Sequence, residues 1–391
     1  MSIAIVVSEL DIYGGTHKQV IRLCEYLKKE GKDYCLVTGV FDPTKTYREA
    51  VTLNILSLPK EHISKLPKLL RRLITQLKIF SLIPKDAKLV NIHDNRLTIV
   101  GLLSKITGKK VVWQINDLPP TFSVGNYNGI HSGFIKRLVF SSWYKFVSNK
   151  FDLITVNVSK NKERIKEILN LNAKVIYCGV DSFSDVYIER EMTNEINVLS
   201  SGVFFRYRNY ESLIKSVALS NEKLRGEKLV TLDIIGSKKY EPEYALEIEE
   251  LALSLGVKLN IHSNVPFDEL SAIHRKANLF AFLNLDQSWG LSVFEAATYS
   301  LPIILSKSVG AVELLNKSNG TVVVDPIDIE AISEAICSVT SNQSSYCDYS
   351  LSAFLDCSTM TWDKMYCEPL IVEFNKLLIK KNEQHIKKKN H

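Results

Sequence analysis

The sequence predicts an α/β protein made of two doubly wound parallel sheets in tandem. Short β-branched runs alternate with helix-period segments, and they do so twice over, on either side of a polar, aperiodic stretch near residue 185. At 391 residues, 46% hydrophobic and 24% charged, the chain is also too long for one small core. The first set of candidate strands lies at residues 3–7, 34–37, 89–92, 111–115, 153–156 and 174–176. The second lies at 197–200, 231–235, 258–261, 279–283, 302–305 and 321–324. Residues 181–195 carry neither a strand nor a helix period, which places the linker near residue 185 and gives domains of 1–185 and 186–360. A last segment, 361–391, puts Leu370, Ile371, Phe374, Leu377 and Leu378 on one helical face and ends in a basic tail. That face must pack on something, and it is expected to return toward the first domain. Open α/β sheets take ligands at the carboxyl ends of their strands, so the chemistry is expected in a cleft between the two sheets.

Composition narrows the class. The first nine residues lack a basic start and a cleavage site, and no apolar run reaches the roughly 18 residues of a membrane span, so a cytoplasmic protein is expected. Seven cysteines with no C-x-x-C pair imply reduced thiols rather than a zinc site. Cys337, Cys347, Cys357 and Cys367 recur every tenth residue, a spacing that neither helix nor strand turns into a ligand cluster. The net charge of +6 is modest, and no nucleic-acid partner is expected. A basic amphipathic helix over 68–80 carries Leu69, Leu70, Leu73, Ile74 and Leu77 on one face, with Lys68, Arg71, Arg72 and Lys78 off it. It reads either as a plain surface helix or as a contact with an anionic membrane.

Three strand-to-helix turns hold the residues suited to chemistry. After the first strand, Gly14-Gly15 lets backbone approach a ligand at a helix start, although a tight structural turn reads equally well. After the first strand of the second half, Arg206 and Arg208 stand where a departing diphosphate would need neutralising. The richest segment is 279–297, in which an apolar strand ends in a polar turn at Gln287 and Gly290 permits close approach. A helix then starts at Leu291 and Ser292 with Glu295 one turn inside. A carboxylate there can accept both hydroxyls of a ribose while the helix start holds phosphates.

Gln287 and Glu295 stand at the spacing of the E-x7-E motif, and here the chain resembles the retaining glycosyltransferases of family 4, which have the two-domain GT-B fold. The resemblance continues through 300–306, 310–315 and 319–326, and through Asp233-Ile234-Ile235-Gly236-Ser237 and His262-Ser263-Asn264-Val265-Pro266. It implies Glu295 on the ribose, Gly290, Leu291 and Ser292 at the phosphates, Arg208 as basic phosphate ligand, and Gly14-Gly15 capping the diphosphate. Gly236 and Val265 would lie on the donor side, near the base. His93, after the strand at 89–92, matches one histidine of the family's H-x-H. The chain departs from the family at Gln287 for the first acid, at Val203 for the arginine after the strand glycine, and at Asn116 for a histidine. Arg206 would replace the arginine, and Asn116 with Asp117 the histidine.

The expected function is thus a retaining, metal-independent glycosyltransferase with Arg206, Arg208, Gln287 and His93 as catalytic residues. It would take a UDP- or GDP-linked sugar as co-substrate, use no cofactor, and act on a glycan, lipid-linked or protein acceptor in surface polysaccharide or glycoconjugate synthesis. The alternative is a non-catalytic subunit with the same fold whose departures mark lost chemistry. A paired-carboxylate glycosidase fits less well, since no two acids are placed to share a sugar. An NAD-dependent oxidoreductase would need a glycine fingerprint that is absent.

Overall fold

The computed structural model describes residues 2–59, 67–93, 95–116, 134–182 and 186–389. They divide into two compact units, one of the described residues up to Gly179 together with Trp362 onward, the other Val180–Thr361.

In the first unit the elements run β1 (Ile3–Val7), α1 (Gly15–Lys29), β2 (Tyr34–Thr38), β3 (Ile55–Ser57), α2 (Lys68–Leu82), β4 (Leu89–Ile92), α3 (Thr98–Ile106), β5 (Lys110–Ile115), α4 (Phe134–Ser148), β6 (Leu153–Val156), α5 (Ser159–Leu169) and β7 (Lys174–Val175). The strands form a parallel sheet of order β3-β2-β1-β4-β5-β6-β7. β1 and β4 are buried throughout, as strands covered on both faces must be. The edge strand β3 has three residues, too few to show a period, and the sequence reading misses it.

The second unit runs β8 (Glu195–Ser201), α6 (Tyr210–Lys223), β9 (Leu229–Ile235), α7 (Pro242–Ser254), β10 (Leu259–His262), α8 (Phe267–Lys276), β11 (Leu279–Phe282), α9 (Leu291–Thr298), β12 (Ile303–Ser306), α10 (Val312–Leu315), β13 (Thr321–Val324), α11 (Ile329–Val339) and α12 (Gln343–Ser358). Its parallel sheet has the order β10-β9-β8-β11-β12-β13, so the strand order reverses between β8 and β11. Ligands of doubly wound sheets sit at that reversal, outside the carboxyl ends.

The linker proposed near residue 185 falls on residues 183–185, outside the described residues. The aperiodic stretch after it is no free linker. Arg190, 7% exposed, donates to the carbonyl oxygens of Tyr299, His274 and Arg275 at 2.7–3.2 Å, which straps residues 188–192 onto the second unit. The final helix, α13 (Glu368–Lys389), buries Leu370, Ile371, Phe374 and Leu378 in the first unit. Lys29 with Asp363 (2.9 Å), just before it, and Lys174 with Glu373 (2.7 Å), on it, add ion pairs. All seven cysteines are free, and burial pushes the Cys357 thiol up to about 12, which leaves it inert. Among the described residues no helix is long and apolar enough to cross a membrane.

Candidate functional site

In the second unit the carboxyl ends of β8, β9 and β10 are stitched by backbone. The Gly202 amide donates to Ile235 O (2.8 Å) and the Gly236 amide to His262 O (3.0 Å). A Cβ on Gly236 would fall 2.0 Å from the Gly202 carbonyl oxygen, and one on Gly202 2.7 Å from the Arg208 guanidinium. Both positions therefore need glycine for close approach, and Gly202 also has φ +149°. On β10 His262 and Asn260 both bond the Asp233 carboxylate (3.1 and 2.7 Å), and a turn at Asn264, φ +55°, leads to half-buried Val265.

The loop after Gly202 separates the two arginines that the sequence paired. Arg206 forms a bidentate ion pair with Glu247 of α7 (2.6 and 2.7 Å) and its guanidinium lies over the Tyr244 ring at 5.1 Å. It is thus paired with an acid at an exposed position. Arg208, two residues on in the same turn, rests on Gly202 with its guanidinium over the rings of Tyr207 (5.0 Å) and Phe282 (5.7 Å). Its Nε is buried without a hydrogen-bond partner, and among the described residues the side chain forms no ion pair. Such a cation is held in place but not neutralised.

Asn209, in the left-handed region at φ +58°, holds this loop against β11. Its amide donates to Leu283 O (3.2 Å) and Pro326 O (2.6 Å), while the Leu285 amide donates to Tyr207 O (2.9 Å). The segment after β11 is fixed in the same way, with the Gly310 amide on Gln287 O (3.1 Å) and the Ala311 amide on Trp289 O (3.0 Å). The Gln287 side chain accepts from Asn284 (3.3 Å). Gly290 then turns at φ +96°, where a Cβ would lie 3.3 Å from Phe282 and 3.1 Å from Val309. α9 starts at Leu291, and the first amides of a helix, here those of Leu291 and Ser292, have no carbonyl one turn back to bond. Trp289 stacks on Phe294 at 4.7 Å beneath this turn, and Glu295 is half-buried in the second turn. The Phe282 ring thus carries the Arg208 guanidinium and the Gly290 turn that opens α9.

At the carboxyl edge of the first unit's sheet a cavity of about 190 Å³ is lined by Ser8, Glu9, Thr16, His17, His93 and Asn116, among others. Gly14 caps α1 with extended backbone, and Gly15 begins the helix, so the pair supplies open helix-start amides without a left-handed turn. His93 is 3% exposed, and burial lowers its ring to about 3, so it is neutral. The Asn91 side-chain oxygen lies 2.6 Å from His93 Nε2. An amide oxygen only accepts, so Nε2 carries the proton and Nδ1, buried and unpartnered, keeps its lone pair. Asn116 is tied to Thr16 (3.1 Å), to Gln114 (3.1 Å) and through its carbonyl to Asn161 (3.3 Å). Asp117 lies outside the described residues.

Arg208, Gln287, Gly290, Leu291, Ser292, Glu295, Gly236 and Val265 thus stand along one carboxyl edge, and Gly14, Gly15, His93 and Asn116 along the other. Sequence reasoning misses Asn209, Phe282, Thr16 and Gln114. Asn209 gives a faint signal as an Asn just before a helix, but its amide clamps neighbouring carbonyls rather than capping α6.

Two parallel doubly wound sheets, each presenting its carboxyl edge, define an α/β protein of the GT-B type. Two family models cover most of the chain, "Glycosyltransferase Family 4" over residues 13–182 and "Glycosyl transferases group 1" over residues 184–353. The chain belongs to glycosyltransferase family 4. The GDP-Man:Man(3)GlcNAc(2)-PP-Dol alpha-1,2-mannosyltransferase of Xenopus laevis is 25% identical over 44% of this chain and 37% of its own length. The O-antigen chain mannosyltransferase RfbU of Salmonella typhimurium is 25% identical over 52% of this chain and 55% of its own. The chain spans roughly 37–55% of the length of these relatives. HepE of Anabaena, solved in complex with UDP and glucose, superposes with a TM-score of 0.72 at 16% identity, covering 97% of this chain and 100% of that one.

Proposed function

We propose that the protein transfers a sugar, with retention and without a metal ion, from a UDP- or GDP-linked donor to a glycan, lipid-linked or protein acceptor. The pathway would be surface polysaccharide or glycoconjugate synthesis at the cytoplasmic side of a membrane. The carrying observation is the Phe282 ring, which brings an un-neutralised guanidinium and a helix start to one place. A diphosphate needs both. Family membership and the UDP in HepE support a nucleotide sugar as its source.

In the proposed step the bond from the anomeric carbon to the phosphate oxygen breaks, and its electron pair leaves on that oxygen. The acceptor hydroxyl attacks the same face, and its proton passes to the departing phosphate oxygen. Arg208 and the amides of Leu291 and Ser292 hold the diphosphate charge as it forms, and Glu295 accepts from the ribose hydroxyls. Gln287 can bond a sugar hydroxyl without charge. In the first unit, neutral His93 offers a lone pair to a hydroxyl, and Gly14, Gly15 and Asn116 border the same cavity. The basic face of α2 gives the enzyme its peripheral place on anionic lipid.

A screen of nucleotide sugars for hydrolysis and thermal stabilisation tests this reading. One sugar nucleotide should be turned over and should raise Tm. Stabilisation without turnover by any donor would favour the non-catalytic subunit, and the absence of both effects would overturn nucleotide-sugar binding.

A further inference from the structure

Buried polar side chains cross the first unit's sheet beside the cavity at its carboxyl edge. Asn91 of β4, Gln114 of β5 and Thr155 of β6 are 0%, 1% and 0% exposed. They stand on adjacent strands, with Gln114 in register with Thr155 and Asn91 with Val112. Each amide has a neighbour that fixes which of its ends is oxygen. The Asn91 nitrogen donates to the Val112 carbonyl (3.3 Å), so the Asn91 oxygen turns to His93 Nε2 (2.6 Å). At 2.5 Å the contact between Thr155 and Gln114 has the length of an O–H···O bond, shorter than N–H···O, so the Gln114 oxygen accepts the Thr155 hydroxyl. The Gln114 nitrogen then donates to Asn116 Oδ1 (3.1 Å), and the Asn116 nitrogen donates to Thr16 Oγ1 (3.1 Å). Thr16 thus receives a bond and keeps its own hydroxyl proton, which no acceptor takes among the described residues.

The two relays reach the cavity with opposite sense. Thr16 presents a proton, and His93 Nδ1, buried and unpartnered, presents a lone pair. Hydroxyl groups satisfy both, since each accepts with its oxygen and donates its proton. A carboxylate or phosphate would set another acceptor against the His93 lone pair. No Lys or Arg stands among the described lining residues to receive such an anion, and the acid there, Glu9, is paired with Arg96 (3.3 Å). At about 190 Å³ the cavity is smaller than the roughly 300–1,000 Å³ of pockets for larger ligands, so it admits one ring rather than a chain. We infer that Gln114 and Asn91 are positioning residues that set the hydrogen-bond polarity of this cavity, and that the cavity takes an uncharged hexose ring in preference to an acidic or phosphorylated sugar. The inference rests on the proposed sugar transfer for the source of its ligand, which is either the donor's sugar or the acceptor's.

Nitrogen NMR of the protein labelled at histidine, with His93→Gln to assign the ring, tests this without any donor. His93 should be the neutral tautomer protonated at Nε2. Its Nδ1 signal should move when glucose, mannose or galactose is titrated in, for at least one of the three, and not with glucuronate. Thr16→Val should weaken that hexose roughly three- to tenfold, the loss of one neutral hydrogen bond. Thr155→Val, on a strand away from the ligand, should weaken it too by releasing Gln114, and Thr155→Ser should restore it. A residue that only packs would give the reverse order, since valine keeps the shape and serine does not. With the donor found by the screen above, Thr16→Val should raise KM for donor hydrolysis without acceptor if the ring is the donor's, and KM for the acceptor if it is the acceptor's. A screen that finds no turnover removes the proposed function and leaves the hexose titration to judge the cavity. A His93 ring protonated at Nδ1, no shift with any hexose, glucuronate bound as tightly as the hexoses, Thr155→Val binding like the wild type, or Thr16→Val with both KM values unchanged would overturn the inference.

Discussion

Gly202→Ala should disable the enzyme through Arg208 while sparing the fold. The added Cβ would stand 2.7 Å from Arg208 Cζ and Nε, against an ordinary contact of about 3.5 Å. The guanidinium is the free end of a flexible side chain, so it retreats by roughly 0.8 Å or more rather than breaking the backbone. The stability cost is then mainly the backbone at φ +149°, about 1–3 kcal/mol, or roughly 2–10 °C in Tm. A displacement of that size at a charge-stabilising group costs on the order of 100-fold in rate. Arg208→Ala should cost about 100- to 1,000-fold in kcat. Donor turnover by both single variants and by the double variant closes the cycle. If Gly202 acts by seating Arg208, the double variant is no slower than Arg208→Ala. Losses that multiply, or an Arg208→Ala enzyme of full activity, would refute the reasoning.

Arg206→Gln, which breaks only the exposed pair with Glu247, should lower kcat less than about tenfold and stability by about 0–1 kcal/mol, read from the same turnover assay and a thermal melt. Gly236→Ala should fail to fold, because its Cβ would lie 2.0 Å from a backbone oxygen fixed between two strands; soluble protein with a normal melt would contradict that. His93 adds a pH dependence. Its folded value of about 3 lies below the ordinary 6.5, so its contribution to stability is present above pH 6.5 and lost as pH falls toward 3. From pH 6.5 to 5 the wild type should therefore lose about 1.5–2 kcal/mol more than His93→Gln in denaturant titrations.

The regular parts of the fold are legible because strands buried on both faces are largely apolar, wholly so in β1 and β11 and with single buried polar residues, Asn91 and Gln114, in β4 and β5. β3 is not legible, since three residues at a sheet edge carry no period. Position along the chain revealed the turns that hold Gly290 and Arg208, because glycine and a polar run at a strand end have few other uses. Direction did not. Arg206 and Arg208 look alike in sequence, and only the acid on α7 and the ring of Phe282, both distant in the chain, send them apart. The leucine stripe of α2 is equally ambiguous, since periodicity reports that a helix has an apolar face but not which way that face is turned. Arg190 shows the same limit, in that a charged residue within an aperiodic stretch reads as exposed until the carbonyls that cage it are seen.

The central claim is that a nucleotide is held between Arg208 and the start of α9 with Glu295 on its ribose. Calorimetry with UDP, GDP and ADP on the wild type and on Glu295→Ala tests it most directly. One nucleotide should bind the wild type, and the variant, still folded, should bind it about 10- to 100-fold more weakly, the loss of charge-assisted bonds worth roughly 1.5–3 kcal/mol. A wild type that binds none of the three, or a variant that binds as tightly as the wild type, would contradict it.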